Sequence, residues 1–441
     1  MKRRTANFIM RQNGEKTGLF SIIDKKTFII LVSVVLGALV LGGLYLWYVK
    51  NYANARKVDL EADPKITYEL QEKTSENGIV KDYLWSRTKE LMLKNASNDT
   101  LIVSSVTLPG TLIDQEQSKS GEYLLSDQAL LLKAYVGDNE RIKAKALYDR
   151  VNKDIDITNA STTDKIMWLD AFVRYYSSYG TSKDEKKLSA YVDEVFDEQG
   201  FIKPSSMEVS KYSGQAYVSS ANTDDALSTG SAIGDLEAGG SNGSYKADEE
   251  KITVDCVLIS CVDLRLIREL ENNNFLPEGS YERNLSVVKG AKISDDIPLY
   301  AYAYEVKDGE INYLYSSLNS GTINITETVE TFKNLALVNE LPEESYSWLK
   351  TTLFGNDVFY DTYFMMTGRP DGNDSFDSYV DIATIALIRE DSSTFDLCMR
   401  RIGNKVATLN TSPALSMVFR SEGGRNITYA KDNLEIYLLI R

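Results

Sequence analysis

Apolar and polar positions divide this chain into one unbroken apolar run and a long stretch of mostly helical periodicity. Residues 28–49 form 22 positions without a charge, enough to cross a hydrocarbon core of ~30 Å as a helix. Residues 50–65 turn polar and read as a stalk. From Tyr68 onward the rhythm is helical. Residues 126–136 open with a Ser cap and an Asp in the first turn, and a second helix over 138–154 follows Gly137. Ile166, Leu169, Val173 and Tyr176 keep helical spacing, as do Leu188, Val192, Val195 and Phe196. Residues 204–250 are rich in Ser, Gly, Asn and Asp and read as a long loop. Residues 253–270, apolar on most faces, predict a helix buried on several sides. The segments YAYAYEV and EINYLYS flank Lys307-Asp308-Gly309 and predict a hairpin. Helices resume over 326–340, 343–354, 376–389 and 392–402, and residues 412–441 are mixed. Helices of similar length, joined by short links, predict a mainly α fold of antiparallel helical hairpins arranged as an array or toroid.

Charge fixes a topology. Lys2, Arg3, Arg4, Arg11, Lys16, Lys25 and Lys26 precede the apolar run, against Glu15 and Asp24. Trp47, Tyr48 and Tyr52 mark its far end. The positive-inside rule makes 1–27 a cytoplasmic tail, 28–49 a membrane anchor and 66–441 an extracellular domain. A secretory h-region runs only ~7–15 residues, so an anchor is expected in preference to a cleaved signal. With no Cys following the run, a lipid anchor is not expected. Beyond residue 52 the chain holds 41 basic and 62 acidic residues, a net charge of −21. That field repels nucleic acid and other anionic polymers.

The chain has no histidine. Ser-His-Asp and Cys-His catalysis and His-ligated zinc are excluded together; no metal and no cofactor is expected. Chemistry must rest on carboxylates, Tyr, Lys, Arg or Ser. Cys256, Cys261 and Cys398 are expected to be buried thiols. The first two, five apart on one predicted helix, point away from each other.

Three segments resemble one family. SDQALLLKAYVGDNERIKAKALYDRV from Ser126, TVDCVLISCVDL from Thr253, and DSYVDIATIALI from Asp377 after TYFMMTGRP are similar to segments of the family 8 glycoside hydrolases and their outlying six-hairpin relatives. The resemblance implies an (α/α)6 toroid preceded here by one transmembrane helix, and cleavage of β-linked glycans by two carboxylates. Asp127 falls at the family's general acid and Asp255 at the first Asp of its Asp-Ala-Asp pair. Val257 replaces the second Asp, Gln128 the Gly after the acid, and Leu131 the motif Tyr. No motif places a base; Glu305, after the Tyr-rich strand, is the positional candidate.

Each candidate has a structural reading beside the functional one. Ser126 and Asp127 can simply cap a helix, and the dipole there favours an ionised carboxyl. Asp255 in an apolar helix needs a partner or a cavity. Asp263, near Arg265 and Arg268, reads as a surface pairing. Tyr302, Tyr304 and Trp168 can stack on sugars or fill a core. The expectation is a membrane-anchored, glycoside hydrolase-like protein acting on a neutral or amino-sugar polysaccharide, inverting and endo-acting by family resemblance. The alternative is a catalytically degenerate glycan-binding protein, or an accessory of a polysaccharide synthase or export complex.

Overall fold

The computed structural model describes residues 25–50, 55–93, 100–109, 118–211, 250–307, 309–314, 322–364 and 369–441. The centre of the expected 204–250 loop lies outside them. The chain divides into two units, residues 1–56 with 181–183, and the rest. In the first, α1 (Lys25–Tyr48) presents exposed apolar side chains from Ile29 to Tyr48 at a mean hydropathy of 2.6. It is long and apolar enough to span a membrane, and Ser33 donates to the Ile29 carbonyl at 2.8 Å within the helix.

The second unit is a double ring of helices. In chain order these are α2 (Tyr68–Glu76), α3 (Lys81–Thr88), α4 (Leu125–Gly137), α5 (Arg141–Asp154), α6 (Thr162–Tyr179), α7 (Ser182–Val195), α8 (Leu264–Asn272), α9 (Ser280–Gly290), α10 (Ile325–Leu337), α11 (Glu343–Gly355), α12 (Phe376–Ile388), α13 (Ser392–Gly403) and α14 (Ala430–Ile440). Alternate helices pack on one another. α4 meets α6, the short turn Ile259–Cys261 before α8 bridges α6 to α10, α10 meets α12, α12 meets α14, and α14 returns to α4. α4, α6, α8, α10, α12 and α14 thus form an inner ring, with α5, α9 and α13 packed on its outside. Only the inner helices are apolar on most faces. α4 and α12 are almost wholly buried, whereas α5 and α7 bury one stripe each.

Local chemistry sets the hairpins. Ser161, Asp263 and Asn324 cap α6, α8 and α10 by accepting from the N–H of Asp164, Leu266 and Thr326 at 3.0–3.1 Å, each worth about 1 kcal/mol. At the far end, Asn139, Asn274, Asn339 and Glu390 take φ of 55–62° two residues beyond α4, α8, α10 and α12. Asn tolerates this left-handed geometry; Glu does so at a cost.

Small antiparallel sheets decorate the ring. β1 (Ser105–Thr107), β2 (Ser118–Lys119), β10 (Arg420–Glu422) and β11 (Arg425–Tyr429) form one in the order β10-β11-β1-β2. β3 (Ser205–Lys211), β4 (Glu250–Leu258), β5 (Ala303–Lys307) and β6 (Glu310–Leu314) form a second, and β7 (Thr322–Asn324), β8 (Tyr360–Phe364) and β9 (Pro370–Asp374) a third. The expected hairpin is β5–β6, with Tyr304 opposite Tyr313 and Gly309 at φ 83° in its turn.

The helix expected over 253–270 is corrected. Residues 250–258 are strand β4, Ile259–Cys261 form a single 3-10 turn, and the α-helix begins only at Leu264. Cys256 and Cys261 therefore sit on different elements. All three cysteines are buried, free thiols. Ser126 is not a cap: α4 starts one residue earlier, and Leu124 precedes it without a side-chain cap bond.

Candidate active site on the toroid axis

Five inner helices repeat one register toward the axis. Their sixth residues are Leu130, Met167, Glu330, Asp381 and Glu435; their ninth are Lys133, Asp170, Lys333, Thr384 and Leu438. All ten line a cavity of about 400 Å³. The i, i+3 spacing keeps each pair on one helix face. The ring therefore presents two layers of side chains to a common space.

The deeper layer is paired. Asp170 accepts from Lys133 Nζ at 2.7 Å and from Arg174 Nε at 3.0 Å. Asp63 bridges Arg265 at 2.9 Å and Arg174 at 3.2 Å. Burial alone would raise the Asp170 carboxyl, but Arg174 and Lys133 outweigh it and hold it well below the usual range. Asp63 is lowered likewise, with Arg174 and Arg265 overcoming its burial. Asp63 falls in the segment expected to be a stalk. Residues 57–64 instead lie along the body, where Glu61 takes two hydrogen bonds from Arg268, at 2.7 and 2.6 Å. Asp263 does not pair with these arginines as expected; it caps α8.

The upper layer is acid-rich. Lys333 Nζ lies 2.7 Å from Asp381 and 3.8 Å from Glu330, and Lys431 Nζ 3.9 Å from Glu435. Burial raises both Glu330 and Glu435 despite these lysines. One turn above, Asp127 stands in the first turn of α4 at 2 % exposure. Its Oδ2 has no hydrogen-bond partner among the described residues. Burial, and next the charge of Glu435, push its carboxyl up to about 8. The helix dipole, which favours the anion, is outweighed. A carboxyl raised this far favours its protonated form at neutral pH; Asp127 itself is not among the residues that line the cavity.

The other expected site residues lie elsewhere. Asp255 is exposed on β4, and Glu305 is half-buried on the neighbouring β5. Both act on Cys256, whose thiol is pushed up to about 11 by burial and then by Glu305 and Asp255. Neither lines the cavity or is among the charges acting on Asp127. Asp255 needs no cavity because it is on a solvated strand face, not in a buried helix. Trp168 is core, stacked 6.4 Å from Tyr148. Tyr304 is buried as well, and Tyr302 packs against the small cluster around Ala303 and Leu314. None of these rings lines the cavity.

Sequence reading missed Glu330, Asp381 and Glu435. Their signal is a shared register, the sixth residue of α10, α12 and α14, which needs three helix starts to be placed correctly.

A ring of inner helices around an axial cavity, with further helices packed on its outside, is an (α/α)6 toroid. The chain is similar in fold to a novel α-amylase from Clostridium perfringens, with a TM-score of 0.57 and 14% identity over 81% of this chain and 96% of that one. PssZ from Listeria monocytogenes superposes with a TM-score of 0.46 at 14% identity, covering 87% and 98% of the two chains. A β-1,3-1,4-glucanase from Paenibacillus sp. X4 gives 0.48 at 9% identity over 87% and 96%. No protein-family model matches the sequence, and no curated protein matches it.

Proposed function

We propose that this is a membrane-anchored glycoside hydrolase-like protein acting outside the cell on a neutral or amino-sugar polysaccharide, with Asp127 as proton donor. One observation carries the reading. Donation to a leaving glycosidic oxygen needs a carboxyl that is protonated at working pH, and Asp127 is held up to about 8 by burial and then by Glu435. Glu435 is the proposed base that activates water; its place in the cavity lining and its action on Asp127 support that role. The apolar α1 supplies the anchor, and the basic residues before it set the orientation.

The burial of Asp127 at 2 % exposure favours a second reading. A donor must touch its substrate, so a carboxyl this enclosed fits a glycan-binding relative that no longer cleaves, or an accessory to polysaccharide synthesis or export. Reducing-end release by the full-length protein in detergent, on β-glucans, chitosan and poly-N-acetylglucosamine, separates them. Release that falls at least 100-fold in both Asp127→Asn and Glu435→Gln supports hydrolysis. Retention on one polymer without release supports binding alone. Release undiminished in Asp127→Asn removes Asp127 from the chemistry.

A further inference from the structure

Residues 57–64 are the first part of the body to follow the apolar helix in sequence, and they close one end of the axial cavity. Leu60, Asp63 and Pro64 line it together with Val136, Gly137 and Arg441, at the C-terminal ends of α4 and α14. Val58 joins the hydrophobic core and Leu60 packs against it; the other contacts that hold this segment are polar. Asn273 clasps Asp59 from both sides, accepting from its N–H at 3.1 Å and donating to its carbonyl at 3.0 Å. Glu269 Oε1 accepts from the Glu61 N–H at 2.9 Å, and Ser177 donates to the Val58 carbonyl at 2.9 Å. Val58 is the one apolar side chain of the segment that is fully buried.

Its ion-pair anchors differ. Glu61, 37% exposed, sits on Arg268 in a partly solvated pair worth about 1 kcal/mol or less and weakened by salt, whereas Asp63, 39% exposed, sits on the buried Arg174 and Arg265 and is the stronger hold. Beneath it, Arg174 Nη2 and Glu269 Oε2 are buried without hydrogen-bond partners among the described residues. Each such atom costs about 1–3 kcal/mol while covered, and release hydrates both. Segments with few apolar contacts and solvated hydrogen bonds are those that open below the global unfolding free energy.

We propose that residues 57–64 are a releasable strap, and that its undocking from α6 and α8 converts the axial cavity from a blind pocket into a channel open at the C-terminal end of the inner helices. This holds whether the cavity cleaves a glycan or only binds one. It places a second solvent entrance on the part of the body nearest the anchor in sequence.

Hydrogen exchange on the full-length protein in detergent tests it first. The amides of Asp59 and Glu61 are expected to exchange at least tenfold faster than those of α8, and faster still at 1 M salt. Exchange of strap and α8 at one common rate would overturn the proposal. The second test is maleimide labelling of Cys261, which lines the cavity at 5% exposure, read by peptide mass. Glu61→Ala is expected to raise its rate about tenfold with α6 and α8 exchange unchanged. A labelling rate equal to the unmodified protein's, with strap exchange accelerated, would show that the strap does not guard the cavity.

Discussion

Two buried carboxyls of the inner ring, one lining the axial cavity and one a turn above its upper layer, stand in opposite states. In the deeper layer Asp170 is buried, bonded to Lys133 and Arg174, and pushed far down. Above the upper layer Asp127 is equally buried, without a partner at Oδ2 among the described residues, and pushed up to about 8. Burial acts against charge in both places. The difference is the partner: two cations within hydrogen-bond reach below, and carboxylates above. Burial of a carboxyl therefore marks neither a structural nor a chemical role by itself. What separates them is whether the ionised form has been compensated. The paired Asp170 acts as an adhesive, and the unpaired Asp127 favours holding its proton.

Removing each carboxyl in turn breaks this comparison if it is wrong. Asp170→Ala leaves Lys133 without its carboxylate and Arg174 with Asp63 alone, and should cost about 3–5 kcal/mol in chemical denaturation. Asp127→Asn replaces a neutral acid by a neutral amide of the same shape. Near pH 4, where both states hold the proton, it should change stability by less than about 1 kcal/mol; at pH 7, where unfolding releases the Asp127 proton, the Asn variant should already be the more stable. Equal losses in the two variants would mean that Asp127 is ionised and paired.

The pH dependence sharpens the same contrast. Asp127 at about 8, and Glu269, which burial raises to about 7, both titrate above their unfolded values. Between about pH 4 and 8 the folded state holds more protons than the unfolded one, so stability falls as pH rises through that window. Asp63 and Asp170 are lowered, and their contribution is lost as pH falls below about 4. A Tm profile from pH 3 to 9 should peak near pH 4–5. Glu269→Gln should flatten its descent between pH 5 and 7. The smallest expected effect lies at the floor end, where Glu390 takes the left-handed position that Asn fills in the three sister turns. Glu390→Asn should add about 0.5–1 kcal/mol.

Much of the ring was legible in the sequence because helical periodicity is a local signal. The helices expected over 326–340, 343–354, 376–389 and 392–402 appear within three residues of those bounds. Residues 253–258 misled because their apolar run continues into α8 without a break. The alternation of Val254, Cys256 and Leu258 with Thr253 and Asp255 is the strand signal, and it is short. Asp127 stood out in the sequence because a motif-like segment carried it. Glu330, Asp381 and Glu435 were not, since they lie about 50 residues apart and meet only once the ring has closed.

That closure has a consequence for biosynthesis. The seam joins α3 and α4 to α14: Trp85 stacks on Tyr437 at 4.5 Å, and Tyr437 donates to Asp138 at 2.7 Å across 299 residues of sequence. At roughly 5–20 residues per second, a ribosome needs about 15–60 s to travel from one side of the seam to the other. Throughout that interval α4 lacks its neighbour α14. A chain in that state is still a string of hairpins, and the fold delays its own completion until Tyr437 has emerged.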